Sequence, residues 1–180
     1  ALVADSVDET LAGALAVVAA GRLDRARLLA GDPAFMGRRD AWRSVPDRLD
    51  GTGAAVAVVV AEIQEMIDGS QAPLVERHKV ELEDLDEREK ALGTRGSGCR
   101  QLVERQRREV RRLRDDELRF GLATLSRRYL DWAAPGGPGD GSAVGLEATE
   151  RISEVTAELI RNPNEALLLQ ALLLDLPAIR

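Results

Sequence analysis

The side chains able to do chemistry are few and scattered: the 180 residues include one histidine, His78, and one cysteine, Cys99. A zinc site draws its ligands from clustered Cys and His, and a nucleophilic pair needs a base within reach of its thiol or hydroxyl. Neither pattern is present. His78 falls on the apolar face of a helical pattern with no second His or Cys nearby, and reads as a packing residue. Cys99 stands beside Arg100 without a base partner and reads as an ordinary thiol. Acidic residues are plentiful, but none is spaced for paired acid–base work. There is no Walker-type phosphate loop, no His-Glu-x-x-His pair and no Gly-x-Ser-x-Gly elbow. Gly136-Gly137-Pro138-Gly139 is glycine-rich, but it follows a helical pattern and includes a proline, which marks a linker. These residues imply no catalytic, cofactor-binding or metal site, and make an enzyme the least favoured class.

The one chemistry present in quantity is that of the guanidinium group. Arg100, Arg105, Arg107, Arg108, Arg111, Arg112, Arg114 and Arg119 face only Glu104, Glu109, Asp115, Asp116 and Glu117 in the same stretch. The stretch before it is acidic, with Glu76, Glu81, Glu83, Asp84, Asp86, Glu87 and Glu89 against Arg77, Lys79, Arg88 and Lys90. Folded antiparallel, two such helices set acidic flanks beside basic ones, as the flanking positions of a coiled coil do. Each exposed pair contributes only about 0–1 kcal/mol, so a leucine seam must hold the pair while the charges choose partner and register. The alternative is a helical DNA-binding module that grips a phosphate backbone through the Arg100–Arg114 face, with Arg105, Arg108 and Arg112 as contacts. Acids interrupt that run and no aromatic side chain lies within it for base stacking, so the ion-pair reading is favoured.

The elements that must position these charges are helices. Hydrophobic residues make up 44% and aromatics 3% of the chain, so Leu, Ala and Val do the packing, which favours helices over a sandwich or barrel. The net charge of −6 argues against a surface that binds nucleic acid all over. One cysteine suits a reducing cytosol, and no signal segment opens the chain. Ser6-Val7-Asp8-Glu9 reads as a capping box, and a short helix is expected over 23–30. Asp32-Pro33 opens another, carrying Phe35, Met36 and Trp42 until Pro46 breaks it. Val56–Val60 alone could be a strand, but Ala54–Ile67 holds no turn residue and reads as a buried helix. Residues 74–92, with Val75, His78, Leu82, Leu85 and Leu92 on one face, pair with 99–133, which carries Val103, Val110, Leu113, Leu118, Leu122, Leu125 and Tyr129. The spacing predicts an αα-hairpin turned at Gly93–Gly98. After a loop over Pro135–Ser142, Val144–Ile160 is a helix with Leu146, Ile152, Val155 and Leu159 inward.

The closing stretch carries the most weight. Asn162 or Asn164 can cap a helix start, and Pro163 has no amide to lose there. Leu167, Leu168, Leu169, Leu172, Leu173 and Leu174 then go round the whole helix, which requires burial on several sides. At under about 20 apolar residues it is too short to cross a bilayer. It is expected either to meet another subunit or to be the central helix of a monomeric bundle.

Two motifs resemble a known family. Ala20-Gly21-Arg22-Leu23-Asp24-Arg25-Ala26-Arg27-Leu28-Leu29-Ala30 is similar to the end of the small helical lid of AAA+ clamp-loader subunits. Arg161–Leu174 resembles their last helix, where Asn-x-Asn precedes a Leu-rich run. The charged hairpin between them is similar to an insertion of high-GC Gram-positive members, and the order of elements looks most like the delta-prime branch of the bacterial DNA polymerase III loader. The resemblance implies an all-α helical bundle, collar-like, with a protruding antiparallel hairpin. Residues 1–31 would end a lid domain, and 38–180 would form an oligomerisation collar with its hairpin arm at 74–119. A nucleotide-binding module would precede Ala1, which in place of Met suits a processed product or a fragment. ATP-hydrolysing relatives place an Arg three residues after the lid Gly; here that residue is Asp24, with Arg25 next, which fits a stator that does not hydrolyse ATP. The implied partners are the other clamp-loader subunits, with DNA reached through the parent complex, no membrane and a cytoplasmic location. Asn162, Asn164, Leu168, Leu172 and Leu176 are the expected subunit contacts. The rival to this reading, besides DNA binding, is a helical adaptor unrelated to replication.

Overall fold

The computed structural model describes residues 32–93, 98–139 and 142–179, together with Gly13 and Ala30. The capping box at 6–9, the lid-like motif of 20–30 and the lid boundary at 31 thus lie outside the described residues, apart from Ala30. Every regular element among the described residues is helical: α1 (Phe35–Arg43), α2 (Val45–Arg48), α3 (Gly53–Ser70), α4 (Ala72–Leu92), α5 (Cys99–Ala133), α6 (Ala143–Glu158), a 3₁₀ turn (Leu159–Arg161) and α7 (Glu165–Asp175). The all-α class expected from composition is the observed one. Two compact units divide the chain, one formed by residues up to Ile63 with those from Arg119, the other by Gln64–Leu118.

In the first unit, Asp32 prepares α1. Its carboxylate accepts from the Ala34 amide at 2.9 Å and from the Arg38 guanidinium at 2.6 Å. The helix ends at Ser44, before Pro46 is reached; Pro46 instead sits in the first turn of α2, where a missing amide costs nothing. Asp50 Oδ1 accepts from both the amide and hydroxyl of Thr52, whose Oγ1 in turn accepts from the Ala55 amide, and this starts α3. The helix expected over 54–67 is present, but it is not buried all round. Val56, Val59, Val60 and Ile63 face inward while Ala57 and Val58 are exposed, so the valine run is a one-sided stripe.

The core of this unit is aromatic at its centre. Phe35 and Phe120 rings lie 5.2 Å apart, and Trp42 is fully buried against Gly121. A Cβ on Gly121 would stand 1.8 Å from Trp42 Cε2, so only glycine lets the indole lie on the α5 backbone. Leu122, Leu125 and Tyr129 continue the face of α5, and Leu169, Leu172, Leu173 and Leu176 close over the core from the C-terminal side. On α6 the inward residues are Gly145, Ala148 and Ile152. Leu146, expected inward, is 56% exposed, because α6 comes close enough for a Gly145 Cβ to meet Ala133 Cβ at 2.7 Å and no branched side chain would fit there. The tail beyond α7 is fastened twice: Tyr129 OH donates to Pro177 O at 2.6 Å, and the Ile179 amide donates to Pro46 O at 3.1 Å. Burial, with the Asp47 carboxylate nearby, pushes the Tyr129 phenol well above its usual range.

Candidate functional site

In the second unit α4 and α5 pair antiparallel: residue 78 meets 106 and 109, 81 meets 105, and 89 meets 98. Gly93 ends α4 in the left-handed region, at φ +64, which glycine occupies without strain. The seam differs from the expected leucine stripe. Val75 and Leu92 are exposed, at 53% and 76%, and Leu82 and Leu85 are half-buried. Two of the residues buried to under a tenth exposure are instead polar, His78 on α4 and Gln106 on α5, while Leu118 of the expected α5 face is buried at 1%.

His78 sits at the middle of a polar node. Its Nε2 lies 2.8 Å from Glu109 Oε2, the same oxygen that accepts from Arg77 at 2.7 Å. Gln106 Nε2 donates to the His78 carbonyl at 3.0 Å and to Glu81 at 3.2 Å, and Arg105 donates to Glu81 at 2.8 Å. The hydrogen bond from His78, then the charge of Arg77, holds the Glu109 carboxyl below its ordinary range against a desolvation that opposes it. Glu81 is held down likewise, first by Gln106 and then by Arg105. His78 is therefore a packing residue with a specific partner: the node joins the two arms at one register and leaves its carboxylates fully occupied. Among the described residues no group of His, Cys, Asp and Glu is arranged to hold a metal ion.

The arginines of α5 fall into two sets. Arg105 is engaged by Glu81, Arg107 by Glu104 at 3.3 Å, and Arg114 by Asp68. Arg119, in the other unit, donates to the Thr156 carbonyl at 3.4 Å. Arg100, Arg108, Arg111 and Arg112 are exposed and, among the described residues, make no ion pair or hydrogen bond. Of the three arginines expected to contact DNA, Arg105 is thus tied into the hairpin, while Arg108 and Arg112 stand outward. Cys99, the first residue of α5, is exposed.

On the C-terminal helix, both asparagines are used, and differently. Asn164 Oδ1 accepts from the Leu167 amide at 3.1 Å and caps α7, whereas Asn162, at φ 52, ends the 3₁₀ turn before it. Leu172 and Leu176, expected to meet a neighbouring subunit, are 3% and 6% exposed and belong to the chain's own core; Leu168 is half-buried. The apolar side chains left open on this helix are Leu167 and Leu174, at 63% and 51%, with Ala171 between them. Their i, i+4, i+7 spacing makes one stripe, and Ile160 just before it is 83% exposed.

One signal in the sequence pointed to what was missed. Val103, Val110, Leu113 and Leu118 leave a gap that a seam alternating by three and four fills at Gln106, so a polar residue at that position marks a specified contact. On α7, leucine type alone does not separate the two faces; the inward set follows from the clasp at Pro177 and Ile179, which sequence does not display. No helix among the described residues is long and apolar enough to cross a membrane. No protein-family model, curated protein or solved structure matches this chain.

Proposed function

We propose that the chain is a protein–protein assembly module, serving as the collar of a sliding-clamp loader subunit of the delta-prime type in DNA replication. The observation that carries this reading is the two-sided C-terminal helix. Its inner leucines complete the chain's own core, and its outer stripe of Leu167, Ala171 and Leu174 keeps apolar surface in reserve beside Ile160. Apolar side chains placed in a row on an outward helix face suit an interface centre, which is depleted in charge and rich in large apolar groups. The resemblance of Arg161–Leu174 to the last helix of clamp-loader subunits supplies the kind of partner, and the subunits of that loader are the neighbours it would touch.

The test is co-elution of the full chain with the other loader subunits of the same organism. A stoichiometric complex is expected with the wild type. Leu167→Glu with Leu174→Glu should weaken it at least about tenfold, a loss of some 1.4 kcal/mol, while circular dichroism and melting stay unchanged. A wild-type chain that co-elutes with no loader subunit overturns the assignment to that complex.

A further inference from the structure

We propose that the outward face of α5, formed by Arg100, Arg108, Arg111 and Arg112, docks on the phosphodiester backbone of a nucleic-acid duplex. The inference rests on the hairpin and is independent of the C-terminal helix. Its first support is the division of labour among the arginines. Those facing α4 or α3 fix the hairpin's register through Glu81 and Asp68, whereas these four are exposed and serve no contact among the described residues. At 3.6 residues per turn they fall within one arc of the helix, opposite the seam residues Gln106, Val110 and Leu113, along about 18 Å of its length.

The second support is what surrounds them. The acid inside the arc, Glu104, is answered by Arg107 at 3.3 Å, so the four remain a net positive row. Asp115, one turn further on, bounds the row at its C-terminal end. No exposed large apolar side chain lies between Leu92 and Leu130 among the described residues. A protein partner needs buried apolar or aromatic anchors at the centre of its contact; a phosphate backbone needs only charge and donors. The α5 helix contains no lysine. Guanidinium groups grip phosphate oxygens in pairs, which favours a regular row of phosphates. The hairpin also offers no aromatic ring on which an unpaired base could stack, which points to duplex and away from single strand. The open groove that adjoins this row at Arg108 is less suited, because Glu81 and Asp84 line it together with Arg88 and Arg105.

Fluorescence anisotropy of the full chain with a labelled mixed-sequence duplex tests this. Four neutralised phosphates predict a slope of about −3.6 in log affinity against log salt, roughly a 150-fold loss between about 50 and 200 mM. Replacing Arg100, Arg108, Arg111 and Arg112 together by Gln, which preserves helix propensity, should flatten that slope to near zero. Replacing the exposed Arg127, Arg151 and Arg161 by Gln should leave it unchanged. No duplex binding by the wild type, binding that survives the fourfold variant, or a preference for single strand would overturn the proposal. So would tighter binding of labelled poly-glutamate, which would make the surface a dock for an acidic protein.

Discussion

Where α1 crosses α5, Trp42 lies against Gly121 with no side chain between ring and backbone; where α4 meets the same helix further up, the buried contact is His78 with Gln106 and Glu109. The first contact is made by excluding water from large rings and leucines, each worth about 1.5–3 kcal/mol when fully buried. The second is made by hydrogen bonds whose net contribution is about 1 kcal/mol apiece, but which are satisfied at a single register only. One helix thus carries two kinds of instruction: its C-terminal part holds a unit together, and its N-terminal part specifies which turn of α4 it faces. The difference shows why charge counts along the hairpin are poor evidence of stability and good evidence of alignment.

The contact of α1 with α5 is most sensitive at Gly121. A Gly121→Ala substitution places a methyl group 1.8 Å from Trp42 Cε2. It should lower the unfolding free energy by about 3 kcal/mol in a urea titration, the upper end of overpacking costs. A loss below about 1 kcal/mol would mean that the indole can shift freely and that the contact is looser than described.

Next in size is the contrast between two leucines two residues apart on α7. Leu172→Ala, at 3% exposure, is expected to cost about 2–5 kcal/mol, and Leu174→Ala, at 51%, about 0.5 kcal/mol or less. Equal costs would show that the helix does not have the inner and outer faces assigned to it.

The smallest effect lies in the hairpin and depends on pH. Glu81 and Glu109 both have folded-state pKa values depressed below the ordinary range. Their contribution is therefore complete above the unfolded-state pKa, about 4.3 for a glutamate, and is lost as the pH falls through the lower folded values. Hydrogen exchange of α4 amides should accelerate in that acid window relative to the aromatic core. The double variant Glu81→Gln, Glu109→Gln should remove the acid-dependent part; if it persists, the node does not set the hairpin's acid response.

Periodicity made the helices of this chain legible. Residues 74–92 and 99–133 lie in helices bounded at 72–92 and 99–133, and the valine-rich run from 54 is helical. Periodicity also gave the inward side of lower α5, where Leu118, Leu122, Leu125 and Tyr129 are buried as expected, but not that of every helix. On α6 the rule that large apolar residues point inward chose Leu146, while the packed face is Gly145 and Ala148, because close approach of helices rewards small residues. On α4 the same rule chose Val75 and Leu92, which are exposed, together with His78, which is buried. The candidate surfaces were half legible for that reason. Arg108 and Arg112 were identifiable as a face by spacing, but Arg105 was separable from them only once Glu81 was seen opposite it. On α7 the asparagine cap was readable from residue type, and the open stripe at Leu167 and Leu174 was not.

Tyr129, whose hydroxyl donates to the Pro177 carbonyl, is the single tyrosine of the chain. A phenolate has no proton to give, so ionisation removes this hydrogen bond and leaves the Ile179–Pro46 bond to hold the segment after α7. Ultraviolet absorbance during an alkaline titration consequently works as an optical gauge of one of the two latches.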